Sequence, residues 1–247
     1  MFIFNKFFCF FKMVDKYEAK EFVSNIIGNE YVIPTLGVFD RFDDINFEEL
    51  PSKFVIKCTH DSGGVFICRN KNLFDINYAR RLINKSLNRN FYFFGREWPF
   101  KNVNRKIIVE KLLETNDENN TNINDYKVFC FNGVPKYILV CSDRTTNLKE
   151  TFFDTKWNLV LFKRPARDIV NDIKKPSNLN KMIEFSKKFF CNIPFLRVAF
   201  YNVDDKLYFG ELTFFPAIGF SKFDSEEWDD ILSSMLKLPE KSCEYEK

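Results

Sequence analysis

Two short stretches of this chain carry residues able to do chemistry on an anion. The first is Phe54-Val-Ile-Lys57-Cys-Thr-His60-Asp61-Ser62-Gly63-Gly64-Val65, an apolar run that ends on a lysine and turns through adjacent glycines. Backbone N–H groups exposed by such a turn form an anion-binding nest, and the lysine adds a point charge suited to a polyphosphate. No GxxxxGK[ST] run occurs, so this is not a Walker loop. Taken alone, the stretch is equally an ordinary hairpin turn with a solvated lysine. The second stretch runs from Phe195-Leu-Arg197-Val-Ala199 to Gly210-Glu211-Leu-Thr213. On a strand, Glu211 and Thr213 share one face, as do Arg197 and Ala199 on the partner. Glu211 sits among apolar residues, where an uncompensated carboxylate is costly. A hard cation with oxygen ligands would compensate it, and so would an ion pair with Arg197 across the hairpin. The sequence leaves both open.

The elements that must position these residues follow from periodicity. Asp15 with Glu18 is a capping-box signature, and Phe22, Val23, Ile26 and Ile27 give the following helix one apolar face. Strands are expected at 54–59 and 65–69 around the glycine turn, and a helix capped by Asp75 extends to Leu87. Another buried strand is expected at 107–113, followed by a polar connection over 115–124. Strands then follow at 126–132 and 135–141, with a hairpin at 152–160, a helix at 178–190, and paired strands at 195–203 and 206–214. An amphipathic helix over about 226–236 ends the pattern. Strands with interspersed helices and at least three hairpins make this an α+β protein with antiparallel sheets.

Composition narrows the function classes. A net charge of +3, with both signs interspersed along 247 residues, excludes a nucleic-acid footprint. The 32 Phe residues reflect biased codon usage before function. Seven cysteines lie mostly in apolar runs, with no CxxC pair and no metal spacing to the single His60, as expected of buried reduced thiols in a cytoplasmic protein. The Phe-rich run at 1–12 is too short, and too interrupted by Asn5, Lys6 and Lys12, to span a bilayer. It is expected to pack on the domain or to precede a start at Met13, with a peripheral membrane contact as the alternative.

The order of lysine strand, glycine hairpin, helix, Val109-Glu110 strand, arginine strand and glutamate strand resembles the ATP-grasp superfamily, including D-alanine–D-alanine ligase. Within it, the chain resembles the teichuronopeptide-biosynthesis TupA-like family, found among capsule and cell-surface polysaccharide genes. The residues behind this are Val14-Asp-Lys-Tyr17, Leu50 to Gly64, Gly95-Arg-Glu-Trp-Pro99, Asp125-Tyr-Lys-Val-Phe-Cys-Phe-Asn-Gly133 and Tyr208-Phe-Gly-Glu-Leu-Thr213. The resemblance implies two α+β subdomains whose antiparallel sheets sandwich ATP. A shortened N-terminal segment (1–50) would precede a smaller subdomain with the glycine hairpin (51–113) and a larger one with the carboxylate strand (114–247). It further implies that Lys57 contacts the α/β-phosphates and that His60, Ser62, Gly63 and Gly64 close over the β/γ-phosphates. Glu110, Lys111 and the backbone through Leu113 would form the adenine hinge, and Asp125 would reach the ribose. Lys127 and Arg144 would contact phosphate or substrate. Arg197 would steady the transferred phosphoryl group, and Glu211, with Thr213 beside it, would hold Mg²⁺. The implied activity is ATP-dependent joining of a carboxylate, such as a uronic acid of a surface polysaccharide, to an amine through an acyl-phosphate. Three positions differ from the superfamily's pattern: Ala199 replaces a metal-binding Asp, Ala217 a Gly, and Thr213 an Asn, the last a change that looks typical of this subfamily. The first of these raises the alternative of a catalytically impaired member that binds nucleotide or glycan.

Overall fold

The computed structural model describes residues 10–116, 123–143, 147–190 and 193–238. Within these residues ten strands form two antiparallel sheets. The four-stranded sheet has the order β1-β4-β2-β3, built from β1 (Thr35–Phe39), β2 (Phe54–Cys58), β3 (Val65–Cys68) and β4 (Ile107–Lys111). Alternation along β2 and β4 sends Phe54, Ile56, Cys58, Ile107 and Val109 to one face, where Ala79 and Ile83 of helix α2 (Ile76–Leu87) cover them. Asp75 caps α2 by accepting the Tyr78 N–H at 2.8 Å. Phenylalanines fill this core face to edge, with Phe74 5.5 Å from Phe54 and 5.4 Å from Phe66 between centroids.

The six-stranded sheet has the order β10-β9-β5-β6-β7-β8. Its strands are β5 (Asp125–Phe131), β6 (Val134–Ser142), β7 (Lys149–Asp154), β8 (Leu159–Val160), β9 (Phe195–Val203) and β10 (Lys206–Thr213). One face carries Val128, Ile138, Val140, Val198 and Phe200. It packs on Val23 and Ile27 of α1 (Glu18–Ile27) and on Leu179, Met182 and Phe185 of α4 (Leu179–Lys188). Between them in sequence lies the short helix α3 (Tyr92–Gly95). At the β5–β7 end the opposite face is also covered, where Phe129, Phe152 and Phe162 meet Trp228 and Leu232 of α5 (Glu226–Ser234). Double coverage explains why every residue of β5 is buried. The rest of that face, toward β10, stays polar and is the floor of the site.

The segment before residue 50 serves both sheets, because α1 packs on the larger while β1 pairs with β4 of the smaller. Asp15 caps the start of α1 by accepting N–H groups of Tyr17 and Glu18, both at 2.8 Å. Residues 10–14 are helical, and Met13 and Val14 join the core, with Phe10 edge-on to Phe214 at 5.3 Å. The remainder of the Phe-rich run lies outside the described residues. No described helix is long and apolar enough to cross a membrane. Cys58, Cys68, Cys130 and Cys141 are buried free thiols; burial pushes Cys58 up to about 11 and Cys130 up to about 12, which makes them unreactive. Cys9, Cys191 and Cys243 fall outside the described residues.

Candidate functional site

On the smaller sheet, Lys57 and Glu110 point away from α2. Val55 is directly opposite Glu110 and Lys57 opposite Ile108, so Lys57 and Glu110 are diagonal neighbours on one face. Glu110 is 3% exposed, and its carboxylate meets the ammonium groups of both Lys57 and Lys20. Burial raises the Glu110 pKa, but the two cations outweigh it and hold the carboxyl below its usual range. Lys20 rises from α1 on the apolar stripe and also donates to the Ile33 carbonyl at 2.8 Å and the Thr35 hydroxyl at 3.0 Å. Burial pushes its pKa down, against the pull of Glu110.

The glycine turn between β2 and β3 is anchored by groups other than its glycines. Lys16, at the start of α1, donates its backbone N–H to Thr59 O at 2.9 Å and its ammonium to Cys58 O at 2.9 Å and to the Asp61 carbonyl. Asp61 is buried and accepts the Ser86 hydroxyl, with Lys16 Nζ 3.7 Å from its Oδ1. Gly64 is required by this contact, since a Cβ there would lie 2.3 Å from Ser86 Oγ and 2.8 Å from Asp61 Oδ2. Gly63 has φ +118°, which L side chains rarely adopt. His60 is buried, and its Nε2 donates to Arg89 O at 3.0 Å. It ties the turn to the end of α2, and burial lowers its pKa.

On the larger sheet, Arg197, Thr213, Glu211, Lys127 and Asp125 form one network. Arg197 donates to Glu211 Oε1 at 2.9 Å and to Thr213 Oγ1 at 3.0 Å, and the Thr213 hydroxyl donates to Glu211 Oε1 at 3.3 Å. Lys127 pairs with the buried Asp125 at 2.7 Å and reaches Glu211 Oε1 at 3.6 Å. That reach crosses a strand, because Lys127 on β5 is directly opposite Ala199 on β9, with β10 beyond. Pairing of β10 with β9 shifts between Phe209 and Leu212, a bulge at Gly210-Glu211 with Gly210 against Ala199. Glu211 is exposed at the mouth of the cleft with its side chain 47% accessible; desolvation by the surrounding protein opposes its ionisation, but Lys127, Arg197 and Lys16 hold its carboxyl at about 2.

Lys16, Asp61, Ser62, Arg197, Glu211 and Thr213 line a common cavity of about 280 Å³, walled by Phe91, Phe94, Phe100 and Phe215. The Lys57–Glu110–Lys20 cluster adjoins it through Lys16, which feels the charges of both Glu211 and Lys57. Lys111 is exposed at the end of β4 and donates its N–H to Pro34 O at 3.0 Å, and Leu113 is half-buried beyond it; neither lines the cavity. Arg144 lies outside the described residues. Sequence reasoning missed Lys16, Lys20 and Glu97 as residues of the site. The readable signal was a lysine at position 20, three residues before Val23 on an otherwise apolar stripe.

The fit of a hard cation rests on one carboxylate oxygen. Contacts to Glu211 converge on Oε1, so Oε2 is the oxygen through which this residue would hold a divalent ion. Among the described residues no group of three or more His, Cys, Asp or Glu is arranged to hold a metal alone.

Solved structures of similar fold exist. Among solved structures, an ADP complex of N5-carboxyaminoimidazole ribonucleotide synthetase superimposes with a TM-score of 0.50 at 16% identity, over 83% of this chain and 45% of that one. D-alanine–D-alanine ligase from Bacillus anthracis, complexed with ATP, gives a TM-score of 0.45 at 18% identity, over 83% of this chain and 54% of that one. This chain thus spans about half the length of the solved structures it matches. No curated protein matches. The sequence profile described as TupA-like ATP-grasp matches residues 7–237. With that match extending over both sheets and the cleft between them, the chain belongs to the TupA-like ATP-grasp family.

Proposed function

We propose that the protein is an ATP-dependent carboxylate–amine ligase that acts on a uronic acid or similar sugar carboxylate of a surface or capsular polysaccharide. The observation that carries this reading is a cleft lined by Lys16 and Arg197, with Lys127 reaching its Glu211 and Lys57 acting on Lys16, where contacts to Glu211 fall on one carboxylate oxygen. Lys57 and Lys16 neutralise the α/β-phosphates, and the turn from His60 to Gly64 supplies backbone donors to the β/γ-phosphates. Glu110 spaces the Lys57 and Lys20 ammoniums, while Lys111 and Leu113 border the adenine. Asp125 orients Lys127, and through it the ribose end of the site. Arg197 stays beside the phosphoryl group as it passes to the substrate carboxylate, so charge is met by preorganised donors and no nucleophilic side chain is needed. Glu211, with Thr213 at its side, would hold Mg²⁺, which would supply charge neutralisation at the phosphates. Consumption of ATP and the buried free thiols favour a cytoplasmic setting.

A second reading is favoured by one feature: Ala199 puts a methyl group where the family's pattern has a metal-binding carboxylate. On that reading the protein binds nucleotide or glycan with little turnover.

Thermal unfolding with Mg·ATP tests the site. Ligand at about 100 times Kd stabilises by about 2.7 kcal/mol, a rise of roughly 5–10 °C for a chain of this size. The rise is expected to need Mg²⁺ and to be largely lost in Lys57→Ala. No rise at millimolar nucleotide removes the ligase reading, and ATP hydrolysis dependent on glucuronate plus an amine separates it from the impaired-binder reading.

A further inference from the structure

Four carboxylates line the 280 Å³ cavity, namely Asp15, Asp61, Glu97 and Glu211. Three are committed: Asp15 to the start of α1, Asp61 to Ser86 and Lys16, and Glu211 to Arg197, Thr213 and Lys127. Glu97 makes no comparable hydrogen bond or ion pair. It sits at the N-cap of the 3₁₀ turn Trp98–Phe100 without capping it by its side chain. The backbone aims it inward by design of its neighbours. Arg96 adopts φ 54° and ψ 23°, which reverses the chain after α3 and sends the Arg96 guanidinium outward over the Tyr92 and Phe93 rings. Gly95 makes room, since a Cβ there would come within 3.0 Å of Ile218 and 3.3 Å of Glu97 Oε1.

Phe91, Phe94 and Phe100 line the cavity with Glu97 and pack on one another, with Phe91 6.0 Å from Phe94 and 5.0 Å from Phe100 between centroids; Arg197 and Lys16 line it as well. A half-buried carboxylate among aromatic rings is the chemistry that recognises an ammonium ion, by charge and by cation–π attraction. We propose that Glu97 binds the ammonium group of the amine acceptor against this aromatic wall and accepts its proton. The proposal rests on the ligase reading and assigns the acceptor's place in it. In the step, the amine nitrogen freed by Glu97 attacks the acyl-phosphate carbonyl carbon. The new C–N bond forms as the C–O bond to phosphate breaks, with the electron pair leaving on inorganic phosphate. The second proton of the attacking nitrogen passes to that phosphate. Burial raises the Glu97 pKa although Arg197 opposes it, and this makes the carboxylate a better base than an exposed glutamate.

The test uses the full chain and its Glu97→Gln variant. L-alaninamide, a cation without a carboxylate, is titrated calorimetrically into each protein with Mg·ADP present. The wild type is expected to bind it, and Glu97→Gln to bind at least about tenfold more weakly, as for loss of one charged partner. In parallel, D-glucuronate and ATP are supplied with either L-alaninamide or hydroxylamine, an uncharged nucleophile that needs no base. The ratio of amide to hydroxamate is expected to fall at least about tenfold in the variant. A melting temperature within about 2 °C of wild type shows that the variant is folded. Equal alaninamide affinity in the two proteins, or no binding to wild type, overturns the assignment of Glu97. Absence of hydroxamate with the wild type strikes the ligase reading instead, and leaves the binding comparison to decide Glu97.

Discussion

Replacing Glu110 by Gln should destabilise the protein more than any other single change of charge in the cleft. The carboxylate is 3% exposed and faces two ammonium groups, Lys20 with a side-chain exposure of 10% and Lys57 with 23%. Removing one partner of a buried pair costs about 3–5 kcal/mol, because the other charge is left without compensation. Here Lys57 can turn toward solvent, and Lys20 keeps its bonds to Ile33 O and Thr35 Oγ1, so the low end, about 3 kcal/mol, applies. For a chain of this size that lowers Tm by about 6–12 °C. The loss also has a pH signature. Glu110 titrates below its ordinary 4.5 in the folded protein, so its contribution is complete above 4.5 and fades as pH falls through the lower folded value. The gap between wild type and Glu110→Gln in urea unfolding should therefore be constant near neutrality and close in acid. A double variant, Lys20→Met with Glu110→Leu, should recover much of the stability, since it removes both buried charges. A neutral-pH loss below about 1 kcal/mol for Glu110→Gln would refute the reasoning, and would mean that the cluster behaves as a solvated surface pair.

Three further outcomes follow from the same geometry. Gly64→Ala should lower stability by about 1–3 kcal/mol in thermal unfolding, because the new methyl collides with the Ser86–Asp61 contact, whereas Gly64→Ala combined with Ser86→Gly should recover part of it. Glu211, held at about 2, contributes stability that is complete above its ordinary 4.5 and lost as pH falls toward 2; because its side chain is 47% exposed, solvent screening limits this to about 1 kcal/mol, read as a gap between wild type and Glu211→Gln that narrows below pH 4.5 in urea unfolding. Ala199→Asp should lower the metal-free melting temperature by a few degrees, about 1 kcal/mol, by bringing a second carboxylate beside Glu211. Its ATP turnover, measured as ADP release with excess Mg²⁺, should rise at least about tenfold if natural turnover is limited at this position.

The fold was legible because its elements are locally consistent. Asp15 and Asp75 cap the helices they precede, and apolar alternation placed β2, β4, β5 and β9 within a residue or two of their observed bounds. What escaped was structure whose cause is not local. The helix α3 and the turn after it occupy residues 92–100, where exposed Phe93 and Phe94 break any amphipathic pattern, so the inward turn of Glu97 had no periodic signal. The partner of Lys20 could not be read locally, because Glu110 is ninety residues away on a strand of the smaller sheet. The bulge at Gly210-Glu211 was invisible for a similar reason: it depends on pairing with β9, and it changes which residues of β10 face the cleft. Of the two partners open for Glu211, the structure holds the ion pair with Arg197, made through Oε1.

Position 199 shows how one small residue redistributes charge across a sheet. Ala199 and Gly210 form a shallow trench on β9 and β10, with a Cβ at Gly210 only 3.3 Å from that of Ala199. Lys127 lies across this trench from β5 to Glu211, a path that a larger side chain at 199 would block. In consequence Lys127 and Arg197 balance Asp125 and Glu211, and the floor of the cleft is neutral without any bound ion. An aspartate at 199 would leave the floor with one uncompensated negative charge, which favours recruiting a divalent cation before nucleotide arrives. A neutral floor has no such pull, so on the proposed function a divalent ion would come largely on the phosphates of the nucleotide, with Glu211 Oε2 as its carboxylate contact. On that reading an alanine at 199 bears first on how metal and nucleotide would enter, and only through that on turnover.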